Sequence, residues 1–390
     1  MAILTDRGGY RARHGSGRAA FSVPAMRRTA ALVAGAGPAG LAAAIGLARG
    51  GAKPLVVERH RETPDLLCGG FVSWQTLETI EELGIEPTRL GGHAIDRVGL
   101  YAGDQSRAAR LPNKGMGLSR RRLDSLLREA AEAAGAEIEA GTGLSAANSD
   151  GEARLADGSE ITAEALFLAT GKYELRGLKR PVGEPSADPW MGIRYRLPAS
   201  ARLQDTLHGA IEMHIVRHGY AGLLLQEDGS ANLCMAVRRS RLREADGDTR
   251  ELLRLLSRET PSLADRLDGE TIPDSVDAVS RVPYGWRVRE GQHGIFRLGD
   301  QAAVIPSLAG EGIGIALASG VQAAQAYLSG GAEAAPDFQR RFARSTRRPV
   351  AVASALKRIA DRPRLARRAL SLAALPGLVG FLGEATRIRA

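Results

Sequence analysis

The sequence predicts an α/β protein: a Rossmann-like nucleotide-binding domain interrupted by an antiparallel-sheet domain and followed by a helical tail. Three observations carry this. Ala31-Leu32-Val33 leads into Gly35, Gly37 and Gly40, spaced G-x-G-x-x-G, after which Leu41, Ala44, Ile45 and Ala48 recur at helical spacing. A second apolar run, Leu55-Val56-Val57, ends in Glu58, 23 residues after Gly35. From about 188 to 282 the pattern changes to short alternating runs joined by turns, and strand–turn–helix order resumes near Gly294.

In the glycine turn the first glycine permits the bend, and the second lets a pyrophosphate approach the backbone. The third lets the helix pack on the strand. The free N–H groups and positive end of that helix attract phosphate charge. Glu58 stands where a carboxylate accepts hydrogen bonds from a ribose 2′-hydroxyl, and its charge argues against NADP at this site. A loop with Pro64, Gly69 and Gly70 follows. Helical spacing returns at Trp74, Leu77, Ile80 and Leu83 and stops at Gly84, and 97–101 alternate as a strand. Residues 118–134 read as a helix with Ser119 as N-cap and Leu123, Leu126, Leu127 and Ala130 on one face. A short strand over 136–138, a hairpin or meander over 145–165 and a buried strand over 165–169 complete this part.

In the interrupting domain, 191–197, 210–216, 221–226 and 232–237 read as strands of one antiparallel sheet, with a hairpin turn at 226–230. Residues 249–267 are helical, interrupted at Pro261. The first domain then returns with a strand over 294–298 ending at Gly299-Asp300 and a glycine-rich turn at 310–314. A helix carrying Ala316, Leu317, Ala318, Val321 and Ala324 follows. The expected organisation is a disordered basic extension over 1–29, a nucleotide-binding domain in two pieces (30–187 and 283–335), a substrate domain over 188–282 and a helical basic segment over 336–390. Met26, just before the first strand, is a second candidate start of translation.

The chain has 390 residues, enough for two or three domains. Cys68 and Cys234 stand far apart, which gives no disulfide framework, and the seven His show no metal-ligand spacing. The net charge of +9 is uneven: residues 1–29 carry six Arg against one Asp, residues 340–390 carry 13 Lys or Arg against two acids, and the remainder is acidic. A nucleic-acid groove across the fold is not supported, and no nucleic-acid partner is expected. No signal-peptide core precedes the first strand, and no run reaches the roughly 18 apolar residues of a membrane span. The expected location is the cytoplasm. The Arg-rich stretch 340–368 and the apolar stretch 369–382, broken by Pro376, read first as a docking helix pair with a solvated basic face; the alternative is that they lie on the inner face of a membrane or cap an apolar pocket.

Three separated motifs agree: GAGPAG with Glu58, Ser119-Arg120 with Leu123-Asp124 at a helix head, and GDQAAVIPSLAGEGIG over 299–314. Together they resemble FAD-dependent oxidoreductases of the aromatic-hydroxylase and geranylgeranyl-reductase type, over roughly residues 30–330. The resemblance implies bound FAD, a flavin reductant of the NAD(P)H type and a small hydrophobic substrate. FAD also fits the layout physically, because one βαβ unit grips only the ADP half and a distant segment must hold the rest. A strand-end carboxylate such as Asp300 can accept hydrogen bonds from ribityl hydroxyls. A helix starting near Gly312 can aim N–H groups at the ring edge where reduction places negative charge. Arg120 matches the family arginine near the FAD phosphates, and Cys68-Gly69-Gly70 resembles the reductases' loop beside the flavin.

The cofactor-binding candidates are therefore Gly35, Gly37, Ala39, Gly40, Glu58, Arg59, Cys68, Gly69, Arg120, Asp300, Gly312 and Ile313. No residue declares itself as a catalytic acid or base. The expected activity is that of an NAD(P)H-using flavin monooxygenase acting on a small, largely apolar aromatic or polyketide-like substrate. Reduction of an isoprenoid or other carbon–carbon double bond is the alternative, and a non-catalytic or RNA-associated flavoprotein is a third reading. Gly219-Tyr220 resembles a reductase segment, but the Trp and Pro that follow it in that group are replaced by Ala221-Gly222-Leu223. That departure favours hydroxylation.

Overall fold

A computed structural model describes residues 27–183, 186–372 and 378–388. The basic extension up to residue 26, both candidate start sites and Pro376 lie outside the described residues. The first strand, Arg27–Ala34, begins within the stretch expected to be disordered. Its early start has a cause: Arg27 pairs with Ile161 across the sheet, and its guanidinium binds Glu139 at 2.9 Å.

Two sheets organise the molecule. The first has seven strands in the order Glu137–Ala140, Pro54–Glu58, Arg27–Ala34, Glu160–Leu168, Glu152–Leu155 and Leu144–Ala147, with Ile295–Arg297 pairing Glu160–Leu168. Its centre is parallel and its far edge is an antiparallel meander. The helix Pro38–Arg49 packs its small residues on the long helix Gly312–Gly330. Contact is close: a Cβ at Gly320 would lie 2.4 Å from the Ala39 carbonyl oxygen. Apolar side chains cover both faces of this sheet, as a parallel sheet requires.

The second sheet has eight strands in the order Asp277–Ser280, Trp190–Leu197, Ala231–Arg238, Gly219–Leu225, Ala210–Val216, His93–Ala102, Gln105–Gly117 and Phe71–Val72. Where the sequence reading drew this sheet from 188–282 alone, it also takes three strands from 71–117. The join between Ala210–Val216 and His93–Ala102 is parallel, and every other pair is antiparallel. Side chains alternate between its faces. Ala231, Leu233, Met235 and Val237 pack with Ala221, Leu223 and Leu225 against Leu252, Leu256 and Leu263 of the helices Thr249–Glu259 and Pro261–Leu267. Asn232, Cys234 and Ala236, with Tyr220 and Gly222, are thereby turned the other way.

The segment beyond 336 is helical, as expected: Ala335–Ser345, Arg347–Ala360, Pro363–Leu372 and Leu378–Thr386. It is also part of the core. Phe338, Phe342 and Val350 join the first hydrophobic cluster, while Ala360, Ala366 and Leu370 pack on Val98, Met213 and Ile215 of the second sheet.

Candidate active site

A single cavity of about 1000 Å³ runs from the glycine turn to the C-terminal helices. Its nucleotide end is built by the first parallel strands. Gly35 has φ +109°, and a Cβ there would meet the Ala169 carbonyl oxygen at 2.6 Å. A Cβ on Gly40 would lie 2.0 Å from the Gly35 carbonyl oxygen, so this position admits glycine alone without moving the turn. Glu58 reaches the same turn: its carboxylate accepts from the Ala36 amide at 2.8 Å and the His60 amide at 2.9 Å. Beside it the Arg59 guanidinium lies 3.7 Å from the ring centroid of Tyr173.

Helix capping differs among the helices that start around the cavity. Helices Trp74–Glu82 and Arg120–Ala133 are closed by Ser73 and Ser119, whose side chains accept from their own first turns. Pro38–Arg49 and Gly312–Gly330 have no side-chain cap. Their first-turn N–H groups, with the positive ends of both helix dipoles, are left for a ligand. Gly312 has nothing within 4 Å of a Cβ placed on it, so its backbone is open to the cavity.

Arg120 spans the gap between the two ends. It binds Asp124 through Nε at 2.9 Å and Nη2 at 2.6 Å, and its Nη2 lies 3.5 Å from a Cβ placed on Gly37. Burial works against its charge, but Asp124, Cys68 and Asp300 outweigh it and hold the guanidinium pKa above the ordinary arginine value. Asp300 follows the strand Ile295–Arg297 in a tight turn, with Lys172 Nζ 3.8 Å away and its own carbonyl accepting from Arg180 at 3.0 Å.

The loop carrying Cys68 and Gly69 is pinned to the second sheet. Asn232 Nδ2 donates to the Cys68 carbonyl at 3.1 Å and the Gly69 carbonyl at 2.8 Å. Asp65 accepts from the Arg120 amide at 3.0 Å and from Arg196 at 2.9 Å, and Arg194 donates to the Asp65 and Leu66 carbonyls at 2.6 and 3.1 Å. Cys234 lies on the same sheet face as Asn232. Burial, and then the nearby Cys68, push its thiol up to about 12, so it stays protonated and unreactive.

Beyond the loop the cavity is apolar, with Val98, Leu100, Leu111, Ile211, Met213 and Leu308 among its lining. A hydroxyl cluster interrupts it. Ser307 shares hydrogen bonds with the Tyr220 hydroxyl and, at 2.8 Å, with the Tyr284 hydroxyl. Burial raises both tyrosines above the usual value, so both hydroxyls keep their protons. Behind Tyr284, Lys357 Nζ lies 4.1 Å from the Trp190 ring centroid.

The structure thus gathers Gly35, Gly37, Ala39, Glu58, Arg59, Cys68, Gly69, Arg120, Asp300, Gly312 and Ile313 around one cavity, with Gly40 packed directly beneath the turn. These residues fit a long dinucleotide. Two uncapped helix ends and a buried arginine suit its phosphates, carboxylates at Glu58 and Asp300 suit its hydroxyls, and the cavity is long enough to join them. Among the described residues no group of three or more His, Cys, Asp or Glu could hold a metal. The sequence reading missed Ser307, Asp65, Arg194 and Lys357. The only local signal among these was Ser307, which lies inside the late motif. The others matter through contacts made across 55 to 131 residues or, for Lys357, through ring packing.

Residues 28–173 match the FAD-binding domain family. The chain is 27% identical over 317 residues, 75% of each chain, to the menaquinone reductase of Mycobacterium tuberculosis. It is 28% identical over 306 residues, 74% of each chain, to digeranylgeranylglycerophospholipid reductase 2 of Methanopyrus kandleri. The fold is shared with a geranylgeranyl bacteriochlorophyll reductase-like protein of Thermoplasma acidophilum, with TM-score 0.73, 18% identity and coverage of 90% of this chain and 92% of that one. It is shared as well with PqsL, a probable FAD-dependent monooxygenase from Pseudomonas aeruginosa, with TM-score 0.68, 18% identity and coverage of 88% and 100%.

Proposed function

We propose that this chain, an FAD-dependent oxidoreductase whose residues 28–173 match the FAD-binding domain family, reduces a carbon–carbon double bond in a long apolar, isoprenoid-type substrate, with NAD(P)H as transient reductant. The observation that carries this is the shape and lining of the cavity: an extended apolar chamber continuous with the cofactor wall, holding one hydroxyl cluster. The names of the curated relatives, both reductases, support the same reading.

FAD, when bound, supplies the redox chemistry by accepting hydride from NAD(P)H and passing it to a substrate carbon. The protein's own residues do the rest. The amides of the glycine turn and Glu58 hold the adenosine half. Arg120 would meet the phosphates, and Asp124 keeps its guanidinium oriented. Asp300 and the open helix start at Gly312 would hold the other half, with the Asn232-anchored Cys68-Gly69 strap beside it. The apolar wall excludes water from the reacting carbons. Tyr220, Ser307 and Tyr284 fix a set of protons in that wall, from which the second carbon of the double bond is protonated.

Hydroxylation is the second reading, favoured by Ala221-Gly222-Leu223 standing where the reductase group has Trp and Pro. The test reduces the bound flavin anaerobically and adds either an unsaturated prenyl lipid without oxygen, or oxygen with a lipid-like phenol. Stoichiometric reoxidation by the prenyl lipid, slowed in Tyr220→Phe, is the expected result. Reoxidation by oxygen alone, coupled to a hydroxylated product, would establish the monooxygenase reading and overturn this one.

A further inference from the structure

The helix Pro363–Leu372 buries one face and leaves the other exposed, with the Arg367 guanidinium lying over the Gly103 turn. Ala366 and Leu370 pack on the second sheet and, with Ile359 and Ala369, close the apolar end of the cavity. Helical spacing turns the intervening residues outward. Arg364, Leu365, Arg367 and Arg368 are exposed, as are Arg358, Ile359 and Arg362 on the turn before it. Of the six large apolar side chains exposed among the described residues, three belong to the C-terminal helices: Ile359 at 36% on Arg347–Ala360, Leu365 at 39% on Pro363–Leu372 and Phe381 at 62% on Leu378–Thr386. That share decides where an apolar contact would form.

The charge is as one-sided as the exposure. Among the described residues, none of Arg358, Arg362, Arg364, Arg367 and Arg368 has a carboxylate in ion-pair reach. The one acid in this stretch, Asp361, is taken by Arg238 at 3.2 Å. Five unpaired guanidinium groups interleaved with exposed apolar side chains match an interface that is anionic at its surface and apolar just beneath. A nucleic acid would use the charge but not the apolar side chains. No helix among the described residues is long and apolar enough to cross a membrane, so contact of this kind is made from one side.

We propose that the exposed face of residues 358–370, with Phe381, docks on an anionic lipid bilayer. The docked face surrounds the apolar end of the cavity, where Ile359 is both exposed and cavity-lining. A lipid substrate would then pass from the bilayer into the chamber without crossing water. That passage rests on the reduction reading above; the docking does not.

The experiment is flotation of the full-length chain with vesicles of phosphatidylcholine alone and of phosphatidylcholine mixed with phosphatidylglycerol. The chain is expected to float with the mixed vesicles only, and to be released by salt. Replacing Arg364, Arg367 and Arg368 together by Gln should weaken binding about 100-fold, about fivefold for each arginine. Leu365→Ser with Phe381→Ser should weaken it independently. All these side chains are exposed, so unchanged thermal unfolding is the folding control. The triple variant should also lose turnover of a prenyl lipid embedded in mixed vesicles while keeping turnover of the same lipid in detergent. Equal flotation with both vesicle types, full binding by the triple variant, or retention on single-stranded RNA without vesicle binding overturns the docking. Failure of the detergent reaction in the parent chain, with flotation intact, counts against the reduction reading alone.

Discussion

Replacing Lys357 by methionine is expected to change how stability depends on pH. The lysine stands on the helix Arg347–Ala360, partly buried, with Nζ 4.1 Å from the Trp190 ring centroid and 5.8 Å from that of Tyr284. Burial, reinforced by the charge of Arg238, lowers its pKa from 10.5 to about 8. Between those values the unfolded chain holds a proton that the folded chain has lost, so this group makes stability rise with pH across that window. Below it the lysine is charged in both states and its full cost is present; above it the lysine is neutral in both and the cost is gone. The fall corresponds to about 3 kcal/mol, which partial exposure reduces to about 2. Lys357→Met should therefore be more stable than the parent by about 2 kcal/mol near neutral pH, with the advantage fading above about pH 10. Urea denaturation followed by tryptophan fluorescence across this range measures it, since Trp190 sits in the contact. A pH-independent packing loss would shift both ends together and leave the slope. Parallel curves, or an advantage that grows with pH, would show that the ring faces stabilise the ammonium more than burial penalises it, and would refute the argument.

Two other substitutions test the cofactor wall. Glu58→Lys removes the acceptor for the Ala36 and His60 amides and places a cation where ribose hydroxyls need a carboxylate, so flavin retained through gel filtration should fall at least about tenfold; full retention of the yellow colour counts against this placement. Arg194→Met strips the loop of its buried anchor and leaves Asp277 and Asp65 short of a partner, at a cost of about 3–5 kcal/mol, with faster hydrogen exchange at Cys68 and Gly70. A loss under about 1 kcal/mol would mean that Arg196 alone secures Asp65.

Much of the cavity lining around the glycine turn is legible in the chain because each part obeys a local rule. Gly35 and Gly40 must be glycine where φ is positive or a carbonyl stands 2.0 Å from a Cβ. Glu58 sits at the end of an apolar strand one βαβ unit later. Asp300 and Gly312 bracket a strand end and a helix start. The period-two pattern of 231–238 was equally legible as a strand, but not the face that Asn232, Cys234 and Ala236 present, because alternation defines two faces and does not label them. The label came from the helices Thr249–Glu259 and Pro261–Leu267, which cover the opposite face. The hydroxyl cluster joins Tyr220 to Ser307 across 87 residues, and Arg194 reaches its loop across 128. The parallel join of Ala210–Val216 to His93–Ala102 brings upstream strands into a sheet that the sequence pattern confined to 188–282. The C-terminal helices closed the cavity by burying Ala366 and Leu370, two residues that composition alone places in no particular contact. Local geometry is written in residue type and spacing. Which distant surfaces meet depends on the free energy of burying them together, and that exists only once both sheets and the closing helices are in place.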